Sequence, residues 1–520
     1  MKRERTPFAS LGGSGAWGIR EYALGVMCAA VLLRLAYAGW VELLPEETYY
    51  WNYARHLDIG YLDHPPLVGW LIEAGRRVFG DVEFGVRAGA MCCGVVATIF
   101  MYRLTRHLFG EASGWVSVVL VQVLPFFFLS GTLMTPDAPL TAAWSGELYF
   151  LERALFGGRR WGWWGAGLCL GVGLLSKYTI LLVVAATVVF VLWDERSRGW
   201  LRRVEPYGAL LLGCGLFVPV IVWNAQHEWA SFLFQTSRRL AERPQFALGK
   251  LLGSALVLLT PLGFAGAVWA LVGRGGAAGG RGGAAGERGE EMRRAWRFLK
   301  CATWVPVGVF ALFSLRHEVK LDWTGAAWVG AMPALSQGIV QAGAGLKRAW
   351  VATVVALLAF YGAGFYELTV GIPGVGYARH AELMPVGWRQ LGREVAKKAD
   401  EVGEREGREP LVVGMDRYAI ASELAFYGPE RGTSSRETSS GHLFGQMGLM
   451  YERWVRPEQE RGRTLLMVGW SAAELSGGAI EGSVERLGPI EEGHLERKGE
   501  LIRPYYYRLA YGYHGHPALE

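Results

Sequence analysis

Of the 520 residues 51% are apolar and 19% charged, with 53 Lys+Arg against 47 Asp+Glu for a net charge of +6, and the mean hydropathy is +0.19. Soluble domains carry about 25% charged residues, so both an ordinary cytosolic globule and a disordered chain are excluded. The apolar residues stop near position 370: the first 369 residues carry a net +9 and the remainder a net −3.

All six cysteines precede that point, with no CxxC pair, and read as small buried hydrophobes rather than a disulfide or metal framework. A bilayer span needs about 20 largely apolar residues. Eleven segments fit: 22–41, 84–102, 112–133, 138–152, 161–176, 178–193, 207–224, 248–272, 298–315, 324–340 and 350–368. The first starts late and lacks a small-residue cleavage site, so it reads as a span and not as a signal peptide. With residues 1–21 in the cytoplasm, the inner connections hold 21 Lys+Arg and the outer ones 9, the asymmetry expected of that orientation. Eleven crossings then place residues 370–520 outside. Gly-rich 274–296 reads as a flexible cytoplasmic linker within the membrane domain 22–369.

The first outer loop opens with Pro45-Glu46-Glu47 and the aromatics Tyr49, Tyr50 and Trp51. Aromatics at this depth fit an interfacial belt. Two adjacent carboxylates in low dielectric repel each other, which suits a general base. Asp63-His64-Pro65-Pro66 follows, an imidazole beside an acid on a turn stiffened by prolines.

Asp137, in TPDAP, lies at a membrane boundary, where an ionisable residue is by default a functional candidate and also suits a helix N-cap. Lys177 interrupts an apolar run and must snorkel or find an anion, for which a phosphate would serve. Lys320, in a polar cluster from Arg316 to Trp323, could share that anion. No GxGxxG on a strand-to-helix turn, Walker loop, HExxH or GxSxG occurs, so no nucleotide cofactor is expected, and nothing points to nucleic acid.

PEETYYWNYARHLDIGYLDHPPLVGWLI, TPDAPL, GLLSKYT, VIVWNAQHEWASFLFQ and KLDWTG, in this order, together resemble the bacterial glycosyltransferase family 39 group. These are GT-C membrane enzymes related to protein mannosyltransferases and to the aminoarabinose transferase of lipid A. The resemblance implies a multi-pass α-helical GT-C fold and transfer, with inversion, of a sugar from a polyprenyl-phosphate carrier to an acceptor outside the cytoplasm: a glycolipid, lipid A, a polysaccharide or a protein. It implies Glu46 or Glu47 as base, where relatives usually carry Asp-Glu. It also implies His64 and Lys177 near the donor phosphate, joined by Lys320 on its position, and Asp137 in the cavity. Asp63 is grouped with Asp137 as a cavity residue and candidate ligand for a divalent metal. The alternative class is a polytopic transporter or lipid flippase, against which stand the lack of an internal repeat and the clustering of charge at one face.

The tail is expected to be a small α/β domain, with strands over 411–416, 464–469 and 502–510 and a helix over 417–427. The Ser/Thr-rich stretch 431–445 reads as a connector, with cover for the acceptor as its functional alternative.

Overall fold

The computed structural model describes residues 18–241, 244–272, 287–375, 384–428 and 437–516. In chain order its helices are α1 (Ile19–Trp40), α2 (Pro45–Arg55), α3 (Leu67–Phe79), α4 (Glu83–Phe109), α5 (Glu111–Val123), α6 (Pro125–Ser130), α7 (Asp137–Leu155), α8 (Trp161–Leu174) and α9 (Leu181–Trp193). There follow α10 (Glu205–Gln226), α11 (Ala230–Ala241), α12 (Leu248–Val272), α13 (Glu287–Ser314), α14 (Met332–Gln341), α15 (Ala344–Thr369), α16 (Trp388–Glu406) and α17 (Ala419–Tyr427). Each of the eleven apolar segments is helical. Six helices among the described residues, α1, α4, α10, α12, α13 and α15, are long and apolar enough to cross a bilayer by length and composition. The remaining segments are shorter helices or broken ones, so eleven crossings stay an expectation. Of the Gly-rich linker, 273–286 lie outside the described residues, while 287–296 are the first turns of α13.

The chain divides into two compact units that do not follow chain order. Met1–Leu35, as far as described, His64–Val68 and Gly89–Gly362 form the first; Ala36–Asp63, Gly69–Ala88 and Ala363–Glu520 form the second. The boundary drawn from composition at 369/370 therefore differs from the structural division, because most of the first outer loop folds with the tail.

In the first unit α8 packs closely on α7 and α10 through small residues. A Cβ on Gly167 would overlap the Ala209 carbonyl, and one on Gly162 would lie 2.6 Å from the Phe150 carbonyl oxygen, the close-approach packing that membrane helices use. Pro125 has no N–H, which breaks the segment 112–133 into α5 and α6 and orphans the Val121 carbonyl. Arg34, buried on α1, answers this break. Its guanidinium donates to the carbonyls of Val121 (3.4 Å), Gln122 (3.3 Å) and Phe127 (3.3 Å) and to the Gln122 side chain, and lies over the Phe128 ring.

The second unit is built on five strands: β1 (Leu411–Gly414), β2 (Thr438–Ser440), β3 (Leu465–Gly469), β4 (Val484–Arg497) and β5 (Glu500–Tyr513). Their order is β2-β1-β3-β5-β4, parallel across β2-β1-β3 and antiparallel from β3 to β4. Alternation along the strands sends Val412, Leu466 and Val468 to one face and Leu411, Val413, Leu465 and Met467 to the other. On the first face lies α16, whose Trp388, Leu391, Val395, Ala399 and Val402 recur at helical spacing. The three predicted strands and the helix are present. Added to them are α16, β4 and β2, the last made from the Ser/Thr-rich stretch expected to be a connector; 429–436 lie outside the described residues.

Candidate functional site

Helix α2 is set by Pro45 in its first turn and by Glu47, whose carboxylate accepts the Leu44 N–H at 3.1 Å. Nine of its eleven residues are buried; Glu46 is exposed and Glu47 is 0% exposed. The acidic pair is thus split by environment. Glu47 pairs with Arg87, itself 1% exposed, whose Nη2 lies 2.6 Å and Nε 2.9 Å from the carboxylate. The other Arg87 donors reach the carbonyls of Tyr37 (2.8 Å), Val41 (2.7 Å) and Glu42 (2.8 Å), so all five are used. Arg87 therefore caps the end of α1 and anchors the start of α2. Glu46 faces outward in the first turn, where the helix dipole favours a carboxylate.

Asp63 folds back onto the same helix. Its Oδ1 accepts the hydroxyls of Tyr49 (2.9 Å) and Tyr53, one helical turn apart. Burial pushes the Asp63 carboxyl above the usual range, and the Tyr53 and Tyr49 hydrogen bonds pull it back. The aromatics do not form an interfacial belt. Tyr50 and Trp51 are 7% and 2% exposed; Trp51 donates to Asp81 at 2.7 Å and meets Phe426 edge-on. Tyr49 packs on Tyr418 at 4.7 Å and accepts the Met450 N–H, while the Tyr427 hydroxyl accepts the Leu43 N–H at 2.7 Å. Much of the bed of α2 is α17 and its neighbours from the tail.

In the first unit Lys177, at the end of α8, donates to both Asp137 oxygens at 3.0 Å and to Asp322 at 3.1 Å. The anions that the half-buried ammonium finds are thus protein carboxylates. Asp137 opens α7 and is buried; the Asp322 side chain is 48% exposed. Burial pushes the Asp322 carboxyl up, but Lys177 outweighs this and brings it down to about 2. The turn holding His64 is tied to this place, since the Leu67 N–H donates to the Leu175 carbonyl at 3.0 Å, two residues before Lys177. His64 is half-buried, and Lys320 is exposed two residues before Asp322.

The structure thus joins Lys177 with Asp137 and ties the His64 turn to the end of α8, and separately assembles Glu46, Glu47 and Asp63 on α2 and its loop. Sequence reasoning missed Arg87 and Asp322. Asp322 stands inside the quoted KLDWTG, where attention fell on the lysine. Arg87 sits within a predicted span, where a charge needs a partner, and that signal could have found it. Among the described residues no three His, Cys, Asp or Glu side chains gather as a metal site requires; the cation held by Asp137 is Lys177.

Residues 63–223 match the family model described as dolichyl-phosphate-mannose-protein mannosyltransferase. Over 196 residues the chain is 28% identical to the lipid A galacturonosyltransferase RgtD of Rhizobium johnstonii, covering 36% of this chain and 39% of that protein. Over 255 residues it is 26% identical to undecaprenyl phosphate-alpha-4-amino-4-deoxy-L-arabinose arabinosyl transferase 2 of Pseudomonas fluorescens, covering 43% and 42%. The chain thus spans about two fifths of the length of these relatives. Apo ArnT from Cupriavidus metallidurans matches the whole fold with a TM-score of 0.60 over 94% of this chain and 97% of that one, at 14% identity. The same enzyme bound to undecaprenyl phosphate gives 0.58. The fold is that of the GT-C membrane enzymes, mostly helical with a small C-terminal sheet domain.

Proposed function

We propose that this chain, which resembles the family 39 glycosyltransferases and carries their fold, moves a sugar with inversion from a polyprenyl-phosphate carrier to a glycolipid acceptor outside the cytoplasm. The observation that carries this reading is the split of the acidic pair. Glu47 is committed to Arg87, which leaves Glu46 as the exposed carboxylate at the head of a rigid, buried helix. In this reading Glu46 takes the proton of the acceptor hydroxyl as its oxygen attacks the anomeric carbon from the face opposite the phosphate. The bond from that carbon to the phosphate oxygen breaks, and the electron pair leaves with the polyprenyl phosphate.

The leaving group is already anionic and needs cations rather than an acid. Lys177 is the pre-placed one, and Asp322, its half-exposed partner, is the carboxylate that the donor phosphate displaces. His64 and Lys320 add positive or hydrogen-bonding groups nearby. The names of the relatives, which act on lipid A or on undecaprenyl phosphate-linked aminoarabinose, support a lipid-linked donor and a lipid acceptor. The proposed placement is the inner membrane, and the charge count supports an N-terminus in the cytoplasm and residues 370–520 outside.

The test is transfer by the purified protein in nanodiscs, from undecaprenyl phosphate carrying labelled galacturonate, aminoarabinose or mannose, to lipid A. Labelled lipid A that disappears with Glu46→Gln supports the reading. Full transfer by Glu46→Gln overturns the proposed base, and saturable solute uptake into proteoliposomes without any transfer favours a transporter.

A further inference from the structure

Between α7, α8, α9 and α10 of the first unit the packing leaves a cavity of about 170 Å3. Apolar cavities of roughly 150 Å3 accommodate a benzene-sized molecule, so this one has room for a ring or a short stretch of chain. Its wall is almost wholly apolar, and its rim carries exposed Val188 (49%), Leu201 (43%) and Leu210 (43%). A longer occupant can therefore project outward through the apolar rim.

The polar groups in this wall are not equivalent. Thr187 donates to the Val183 carbonyl at 2.8 Å and Tyr207 to the Leu201 carbonyl at 2.8 Å, so both are satisfied within the protein. Glu147 and Trp163 are not. Glu147 is 3% exposed with its Oε2 unpartnered, and Trp163 is 6% exposed with its indole N–H unpartnered. Glu147 stands ten residues into α7, on the wall of the cavity. A buried polar group without a hydrogen bond costs about 1–3 kcal/mol, and two in one cavity wall indicate that something else supplies them.

We propose that this cavity binds a lipid alcohol: an apolar body seated among α8, α9 and α10, with a hydroxyl that serves Glu147 and Trp163. A hydroxyl is the simplest group that both donates and accepts. An alkane satisfies neither orphan, and an ammonium has donors only and opposes the indole N–H. No covalent step is involved, and the site is independent of Glu46 and Lys177.

The experiment uses the full-length protein in phosphatidylcholine nanodiscs with a photoreactive alkyl-diazirine alcohol as probe, labelled peptides being identified by mass spectrometry. Labelling is expected in peptides from 161–174 and 184–210, competed by 1-octanol at least tenfold more effectively than by octane or octylamine. Glu147→Leu, which suits an apolar wall, is expected to weaken labelling about tenfold, and Trp163→Phe to weaken it less. Octane competing as well as octanol overturns the proposal in favour of a bare hydrocarbon pocket, and better competition by octylamine overturns it in favour of an ammonium site. The competitor series needs only the parent protein, so a variant that fails to fold leaves the answer intact.

Discussion

Replacing Glu46 by glutamine keeps its size and removes only its capacity to accept a proton; the expected result is a 10²- to 10⁴-fold fall in transfer rate, about what a general base contributes, with an unchanged melting temperature. Glu47→Gln should behave in the opposite way. It leaves Arg87 buried with its charge uncompensated, which typically costs about 3–5 kcal/mol, so the melting temperature falls, and Arg87→Met in the same chain should restore part of the loss. A third outcome concerns Glu423 on α17, 0% exposed, whose carboxyl is pushed well above the usual range by burial, with Glu42, Glu47 and Glu46 adding to the push. The folded unit then holds a proton that the unfolded chain releases above about pH 4.3, so stability falls as pH rises from there. Glu423→Gln should flatten the dependence of melting temperature on pH and raise that temperature at pH 8; an unaltered pH profile would count against a protonated Glu423. At this scale the sequence singled out a pair of adjacent carboxylates but not which member is exposed. Adjacent residues on a helix face different ways, and the facing is decided by Arg87, forty positions on.

Among the elements, the break between α5 and α6 is the clearest case of distant compensation. Pro125 orphans a carbonyl, and Arg34 of α1 donates to it. Arg34→Met should destabilise the protein, and Pro125→Ala, which restores an N–H, should lessen that loss. A double-mutant cycle read by thermal melting is expected to give a coupling of about 0.5–3 kcal/mol, as for residues sharing one network, and strict additivity would break the link drawn between them. Helices were legible as apolar runs because a span is decided by composition over many residues. The helix α16 was legible in principle, since its apolar residues recur at helical spacing, but its charged face hid the stripe. The short strand β2 was not legible: Thr438, Ser439 and Ser440 carry turn chemistry, and only pairing with β1 makes them a strand.

For the whole molecule, composition separated a membrane body from a polar tail, and that separation survives as chemistry but not as architecture. The second unit takes in 36–63 and 69–88 together with the tail, because the aromatic face of α2 finds its partners on α17 and around Met450, Tyr451 and Trp454. No local pattern reports a pairing across more than 350 residues. A chain ended at 369 should therefore reach the membrane but show no transfer, with α2 more open to protease than in the full chain; retained activity would reduce the tail to an accessory. There is also a consequence in time. Residues near Glu46 leave the ribosome early, while the strands that complete their unit come last. At roughly 5–20 residues per second, some 450 residues of further synthesis leave α2 without its bed for roughly 20–90 s. A half-made chain already lodged among lipids therefore lacks a seated Glu46, and a ribosome that stalls within the last strands leaves an inert product rather than an unregulated one.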